Sequence, residues 1–308
     1  MRYTLRQLEV FVAVGRCESV SRAAETLSLS QSAVSTALGG FERQFNGQFL
    51  DRVGKSLRLN ELGRQLLPKA VELLDRGREI EDLLQGKSGL GPIEIGATLT
   101  IGNYLATLIV ATFLQQHPES RVRLQVHNTA TIVQQVARYE LDLGLIEGDC
   151  HHSDLEVQRW VGDELVVFCS PNYPLAKRAS VAPQELAAEP WIMREHGSAT
   201  RETLEHAMRH HASPLNIRLE LQHTEAIKRA VEFGLGIGCI SRLALREAFG
   251  RGSLVPITTP GLDLYRQFHF LWHKEKYQTS GMRAFLALCR TLTLGVNRSD
   301  EIHLPLIV

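Results

Sequence analysis

The sequence predicts a helix-rich N-terminal unit, a connecting helix and a two-lobed α/β domain. The chain of 308 residues is too long for one ordinary domain, since domains usually hold about 100 to 200 residues. Apolar residues recur at helical spacing near the N-terminus. From Ile93 onward, short apolar strands alternate with helical segments, the first of which is expected from about Thr100 to Gln116. This pattern is typical of a largely parallel sheet with helices on both faces.

Composition excludes several classes of protein. Hydrophobic residues make up 44% of the chain and charged residues 22%, and no apolar run approaches the roughly 18 residues that a membrane span needs. The N-terminus shows no signal-peptide pattern, so we expect a cytoplasmic protein. The five cysteines are scattered and never spaced as C-x-x-C, which favours reduced thiols over disulfides or a zinc site.

Charge is balanced overall but uneven along the chain. The 34 basic and 34 acidic residues give no net charge, so global charge does not indicate a nucleic-acid partner. Up to Asn60, however, eight basic residues face five acidic ones, and three of the cations are Arg52, Lys55 and Arg58. This predicts a local basic surface in the N-terminal unit.

Three helices are expected in that unit. Thr4 can cap the first, and Ser19 or Ser21 the second, over residues 20–27. The third follows Ser30, with its apolar positions turned inward. The residues left outward in its first turns are Gln31, Ser32, Ser35 and Thr36.

Short polar side chains on exposed first turns suit a helix that enters the DNA major groove, because Gln and Ser reach base edges and phosphates. The alternative is a helix start that is merely capped and solvated. Residues 49–60 favour the DNA reading, since they predict a hairpin with a Gly turn and basic flanks, which is a wing. The candidate DNA-contacting residues are Ser30, Gln31, Ser32, Ser35, Thr36, Arg52, Lys55 and Arg58.

A connecting helix is predicted from Asn60, which can cap it. Pro68 is expected to interrupt or bend this helix, and residues 85–92 are expected to form a linker. An apolar stripe near heptad spacing packs either on its own domain or on a partner subunit. The stripe consists of Leu62, Leu66, Leu73, Ile80 and Leu84.

The predicted units are residues 1–60, 61–88 and 89–308. In the last unit, one lobe spans about 89–165 and 268–300 and the other about 166–267. The chain is therefore expected to cross twice between the lobes, which makes a hinged cleft. Ligands of such sheets bind beyond the carboxyl ends of the strands.

The ends of three strands in the first lobe are expected to converge with a helix start in the second lobe. Gly197 and nearby hydroxyls suit an anion there, because free N–H groups and the helix dipole point at it. The alternative is an ordinary capped helix. The candidate effector-binding residues are Thr98, Leu99, Thr100, Asn103, Thr129, Glu147, Arg194, Gly197, Ser198 and Thr200.

The N-terminal motifs closely resemble the LysR-type transcriptional regulators. The motifs are Leu5 to Phe11, Ala23-Ala24, Leu29 to Ser35 and Phe49 to Arg52, and the resemblance covers Tyr3 to about Leu294. It implies a winged helix-turn-helix on double-stranded promoter DNA and a periplasmic-binding-protein-like effector domain. It also favours a homodimer through the connecting helix, a homotetramer, and RNA polymerase as a further candidate partner.

Within the family, the sequence looks most similar to the YeiE and FinR branch, a relative of CysB. The resemblance rests on residues 98–104, 146–148, 164–168, 194–201 and 225–228. It implies sensing of a sulfur oxyanion, sulfite in particular, with no other cofactor. Glu147 repels a dianion unless it is protonated, paired with Arg194 or Lys228, or bonded to a ligand proton; an inter-lobe salt bridge is the alternative.

Other chemistries stay open at this point. A small carboxylate could replace the oxyanion, and Cys150, His151, His152 and Asp154 form a possible metal site or, at the cysteine, a redox switch. An enzyme would need a nucleophile or base such as Ser198 or Glu147. The sequence contains no G-x-S-x-G, P-loop or H-E-x-x-H motif, so an enzyme is not expected.

Overall fold

The structure is a computed structural model that describes residues 2–54, 56–86, 90–211 and 214–302. We call the first three helices and the following hairpin the head. Its elements are α1 (Leu5–Cys17), α2 (Val20–Leu27), α3 (Gln31–Gln44), β1 (Leu50–Val53) and β2 (Ser56–Leu59). The predicted caps Thr4 and Ser19 are confirmed, since each accepts a hydrogen bond from a backbone N–H in the first turn, and Ser30 caps α3 in the same way.

The connecting helix α4 (Glu61–Leu84) begins at Asn60, whose side chain accepts from the backbone N–H of Gly63 at 2.9 Å. The predicted interruption at Pro68 is wrong, because α4 continues through it, with one backbone donor missing. Gly63 is required there, since a Cβ would collide with the carbonyl oxygen of Phe49 in the hairpin.

The apolar stripe on α4 is divided. Leu66 and Leu73 pack partly against the head core, as do four buried residues of α4. Leu62, Ile80 and Leu84, by contrast, are 49%, 57% and 80% exposed. The ends of the stripe are therefore left uncovered by the part of the chain that the structure describes.

The described residues after α4 include one continuous mixed sheet that spans two lobes. Its strands are β3 (Pro92–Thr98), β4 (Arg121–His127), β5 (Leu143–Glu147), β6 (Leu155–Cys169), β7 (Trp191–Arg194), β8 (Ile217–Leu221), β9 (Ile237–Ser241), β10 (Val255–Pro256) and β11 (Tyr265–His273). The strand order is β4-β3-β5-β11-β6-β9-β7-β8, with β10 paired to β6. Strands β3, β4 and β5 are parallel in lobe 1, and β7, β8 and β9 are parallel in lobe 2.

The two lobes are connected by the antiparallel pair β6 and β11, whose register runs from Tyr265 opposite Glu164 to His273 opposite Leu155. The predicted two crossings are thus a continuous two-stranded ribbon. Because ladder hydrogen bonds hold these strands together, movement between the lobes must bend or twist this ribbon.

Helices cover both faces of the sheet, as predicted. They are α5 (Leu99–Ile101), α6 (Thr107–Gln116), α7 (Thr129–Ala137), α8 (Pro183–Ala188), α9 (Ala199–Met208), α10 (Thr224–Glu232), α11 (Arg242–Arg251) and α12 (Ser280–Leu292). The single helix expected from about Thr100 to Gln116 is instead α5 and α6 joined by a π-helical turn at Gly102–Ala106. Among the described residues, no helix combines the length and apolarity that crossing a membrane requires.

Candidate DNA-binding surface and ligand cleft

The first turns of α3 present a polar surface. The Ser30 hydroxyl accepts from the backbone N–H of Ala33 at 3.1 Å and lies 3.0 Å from the Ser32 hydroxyl. Val34 is fully buried in the head core, which orients the opposite face of α3 outward. The residues predicted to be outward are all exposed, namely Gln31, Ser32, Ser35 and Thr36.

The hairpin adds exposed cations. Arg52 and Arg58 are both exposed, and Arg58 lies opposite Asp51 in the ladder. Gly54 has a φ of 63°, a conformation that suits glycine in the turn. Lys55, the third predicted contact, lies outside the described residues. The head thus offers hydroxyl, amide and guanidinium donors suited to bases and phosphates.

The carboxyl ends of the lobe 1 strands do converge. The backbone N–H of Thr100 donates to Oε1 of Glu147 at 2.8 Å, which ties the end of β3 to the end of β5. The Thr98 hydroxyl lies 3.5 Å from the carbonyl oxygen of Leu145. The second lobe meets this edge, since the backbone N–H of Ala130 donates to the carbonyl of Gly197 at 3.3 Å.

Glu147 is ion-paired, but not with either of the predicted partners. Nη1 of Arg266, on β11, lies 2.7 Å from its Oε2, and Thr200 donates to the same oxygen at 3.3 Å. The salt bridge therefore joins β5 to the neighbouring strand β11, which connects the lobes, and the contact from lobe 2 is the hydrogen bond from Thr200. Arg194 binds its neighbour Glu195 at 2.8 Å instead.

The second predicted partner, Lys228, is also engaged elsewhere. Its Nζ lies 2.6 Å from Glu225 and 3.1 Å from the carbonyl of Ala244. Neither of these contacts involves Glu147.

Arg266 organises a buried network that sequence analysis missed. Its Nε donates to Oδ2 of Asp163 at 2.7 Å, and the other oxygen of Asp163 accepts from Ser241 and Ser299, each at 2.6 Å. Arg266 also reaches the Thr200 and Thr100 hydroxyls at 2.9 Å and 3.5 Å. Thr100 and Arg266 are 166 residues apart in the chain, so no local motif links them.

Electrostatics hold Glu147 ionised. Burial opposes its charge, but the guanidinium of Arg266 and the hydrogen bond from Thr100 together leave the pKa of Glu147 below its usual value. The two carboxylates correspondingly raise the pKa of Arg266, despite its burial. Glu147 therefore does not present a free negative charge to a ligand.

This ion pair predicts acid sensitivity. Because the folded pKa of Glu147 is lowered, its contribution to stability is present above the unfolded value, about 4.3, and is lost as the pH falls through the folded pKa. In urea unfolding between about pH 7 and about pH 3, wild type should lose stability more steeply than Glu147→Gln. Glu156→Gln, at an exposed position, is the control and should follow wild type; parallel curves for Glu147→Gln and wild type would contradict the prediction.

The remaining candidate residues fall into a buried set and a cleft set. Thr98, Ser198 and Thr200 are buried, and Ser198 precedes α9 without making a side-chain capping hydrogen bond. Thr129 is half-buried at the start of α7, and Gly197 has a φ of 81°.

An open cavity of about 380 Å³ lies at the mouth of the cleft. Two predicted residues, Leu99 and Asn103, line it, together with polar side chains that sequence analysis did not select. The full lining is Leu99, Asn103, Val126, His127, Asn128, Thr131, Glu195, Gln222 and His223. These residues come from both lobes.

The cavity lies at the N-terminal ends of two helices. Asn128 caps α7, while His223 precedes α10 without a side-chain capping bond, which leaves the first N–H groups of α10 without that partner. Helix N-termini, amides and imidazoles together favour a small anionic or polar ligand.

Metal and thiol chemistry receive no support from this geometry. Among the described residues, no group of three or more His, Cys, Asp or Glu side chains could hold a metal ion. Cys150 is partly buried, and burial raises the pKa of its thiol, which disfavours the reactive thiolate.

Comparison with known families agrees with both halves of the chain. Residues 5–64 match the bacterial regulatory helix-turn-helix protein, lysR family, and residues 87–293 match the LysR substrate binding domain. The chain belongs to the LysR family of transcriptional regulators. It is therefore a DNA-binding regulator with an effector-binding domain and not an enzyme.

Individual relatives support this assignment. The LysR-family chain is 42% identical to the "uncharacterized HTH-type transcriptional regulator YeiE" of Escherichia coli K12, over 94% of this chain and 98% of that protein. A full-length OxyR variant of Pseudomonas aeruginosa, with aspartate in place of one cysteine, has the same fold, with a TM-score of 0.71, 20% identity and coverage of 94% and 95%. The regulatory domain of Synechocystis CcmR, solved in complex with 2-PG, has a TM-score of 0.63 and 26% identity over 67% of this chain and 99% of that one.

Proposed function

We propose that this regulator senses a small sulfur oxyanion, with sulfite as the first candidate, in the cleft between its lobes. The observation that carries the proposal is the cavity at the N-termini of α7 and α10, lined by Asn128 and His223. An oxyanion can accept hydrogen bonds from the first N–H groups of α10, which His223 does not cap, and from the side-chain amides that line the cavity. Likeness to YeiE adds the sulfur assignment by resemblance.

Neutralisation of Glu147 supports the same proposal. An unpaired carboxylate at this position would be the main objection to an anion in the cleft. Its pairing with Arg266 at 2.7 Å, where both side chains are almost fully buried, largely cancels the repulsion. A bound oxyanion would then meet amides, imidazoles and the Thr131 hydroxyl, and the carboxylate in the lining, Glu195, is paired with Arg194.

We further propose a homodimer joined through α4 and assembled into a homotetramer on promoter DNA. The exposed ends of the α4 stripe, Leu62, Ile80 and Leu84, provide an uncovered apolar surface for a second α4. Two heads held at a fixed separation by paired α4 helices would select DNA with two half-sites at a matching spacing. A ligand that binds the closed arrangement of the lobes more tightly than the open one would shift the protein towards the closed arrangement. This movement would change the spacing of the two heads.

The deciding experiment is thermal stabilisation of the full-length protein by sulfite, sulfate, thiosulfate, O-acetylserine and small carboxylates. A ligand at about 100 times its Kd stabilises the folded state by about 2.7 kcal/mol, which raises the Tm by several degrees. Sulfite should shift the Tm at lower concentration than the others. A small carboxylate is the alternative, since CcmR was solved with a different ligand, 2-PG.

Variants localise the site. Thr131→Ala and His223→Ala should each reduce the sulfite-induced shift while leaving DNA binding without ligand unchanged, because both side chains line the cavity and neither lies in the head. Thr112→Ala on α6, whose hydroxyl donates to the Leu108 carbonyl, is the matched control. If sulfite leaves the Tm unchanged while another compound raises it, the oxyanion assignment is overturned and the regulator assignment stays intact.

A further inference from the structure

The head is not separate from the effector domain; it rests on lobe 1. Tyr139, in the turn after α7, is 4% exposed and belongs to the same apolar cluster as the head residue Phe11 and the α4 residue Leu67. Its backbone is left-handed, with a φ of 58°, a conformation that bulky residues rarely adopt and that costs about 1 to 3 kcal/mol. The surrounding packing holds Tyr139 in that conformation.

A buried charge cluster reinforces this contact. Nζ of Lys276, in the loop after β11, lies 2.5 Å from Asp75 on α4 and 2.7 Å from Asp142 in lobe 1. The Lys276 side chain is only 2% exposed. One cation therefore bonds the connecting helix to the effector domain, and its removal would leave Asp75 with the half-exposed Arg78 and Asp142 with the backbone N–H of Glu94 as weaker partners.

Further contacts continue along α4. Glu79 accepts from the hydroxyl of Tyr277 at 3.0 Å and from the backbone N–H of Ser280 at 2.9 Å. The guanidinium of Arg76 lies 4.3 Å from the centre of the Tyr277 ring. Side chains of α4 therefore contact two consecutive segments of the effector domain, the loop after β11 and the start of α12. We call the set Tyr139, His273, Lys276, Asp75 and Asp142 the junction.

Two elements connect the junction to the ligand cleft. Helix α7 begins at Asn128, which lines the cleft cavity, and ends just before Tyr139. Strand β11 carries Arg266 of the cleft network near its start and ends at His273. The far ends meet, because the Tyr139 ring stacks on His273 with centroids 4.2 Å apart and its hydroxyl lies 2.7 Å from Nδ1.

The junction does not cover the DNA-reading face. Gln31, Ser32 and Ser35 stay exposed while the head rests on lobe 1. Contact with lobe 1 therefore does not inhibit by blocking the recognition helix. What it can fix is the position and orientation of the head relative to the cleft.

We propose that the junction is the relay of this regulator: it fixes the head on lobe 1 and transmits rearrangement at the cleft to the head through α7 and β11. Pre-ordering the head favours DNA binding, because less conformational freedom is lost when two heads engage one site. The junction then accounts for the coupling free energy between ligand binding in the cleft and DNA binding by the head. This coupling is reciprocal, so DNA binding changes ligand affinity by the same factor as ligand binding changes DNA affinity. Only the ligand measurement below rests on the proposed sulfite assignment.

The test uses full-length protein with Tyr139→Asn and Lys276→Gln, since asparagine tolerates the left-handed backbone. Lys177→Gln, at an exposed lysine in lobe 2 far along the chain from the junction, is the matched control. Hydrogen exchange over residues 61–84 should rise about tenfold or more in both junction variants. Affinity for a duplex selected by wild type from a random pool should fall about threefold to tenfold without ligand.

The ligand measurement compares DNA affinity with and without sulfite. In both junction variants the ratio should approach about 1, while sulfite binding stays within about twofold of wild type. Tyr139→Phe keeps the ring, loses only the bond to His273 and should change each quantity in the same direction by less. Tyr139→Phe takes the place of Tyr139→Asn in both measurements if the asparagine variant does not fold.

Two results would overturn the relay. One is unchanged exchange in α4 in both junction variants, which would mean that the junction does not hold the head. The other is increased exchange with wild-type DNA affinity, which would mean that the contact transmits nothing. If sulfite fails to bind wild type, the proposed ligand is wrong, and exchange and ligand-free DNA affinity still decide the relay.

Discussion

Replacing Arg266 by methionine is expected to lower the free energy of unfolding of the effector domain by about 3 to 5 kcal/mol. Arg266 is the common partner of Glu147 and Asp163, both of which are almost completely buried. Without the guanidinium, two carboxylates would remain in a medium that solvates them poorly. Breaking a buried pair costs much more than breaking a surface pair, because an uncompensated charge is left behind.

Urea unfolding followed by tryptophan fluorescence measures this loss directly, since Trp160, Trp191 and Trp272 all lie in the effector domain. Arg251→Met removes an exposed arginine whose Glu247 partner is 3.6 Å away, and should change stability by less than about 1 kcal/mol. A triple variant that also carries Glu147→Gln and Asp163→Asn should recover part of the loss. An Arg266→Met protein as stable as Arg251→Met would show that the network contributes little.

The second large effect is expected at the recognition helix. Gln31→Ala should reduce discrimination at one base pair by about 1 to 3 kcal/mol, because a glutamine amide can pair with a base edge in the major groove. Arg52→Ala should instead weaken binding to all sequences and reduce the slope of log affinity against log salt by about 1, as loss of one phosphate contact does. The two variants thus separate base reading from phosphate contact.

Titration of labelled duplexes with every base substitution, at several salt concentrations, distinguishes these outcomes. Gln65→Ala, an exposed glutamine on α4, is the control and should leave both quantities unchanged. Equal loss of affinity for every duplex in Gln31→Ala would place that side chain on phosphate instead of a base.

Local sequence patterns were sufficient to predict the helices of the head and the residues that cap them. Thr4, Ser19, Ser30 and Asn60 each cap the helix that follows, because a capping hydrogen bond spans only a few residues and is visible in the sequence. The alternation of short apolar strands with helical segments likewise predicted the two-lobed α/β domain. The exception at Gly102, where a π-helical turn replaces regular helix, lies where a Cβ would collide with Val126 of the neighbouring strand, a contact that only packing reveals.

The sequence by itself determined the family, the exposed polar face of α3, and the convergence of Thr98, Glu147 and Thr200 at the strand ends. Only the tertiary structure decided which charges pair. Glu147 binds Arg266 and Lys276 binds Asp75, partners more than a hundred residues apart in both cases. Side chains so distant meet through sheet order and strand register, which depend on the whole fold, whereas caps and periodicity depend on neighbours along the chain.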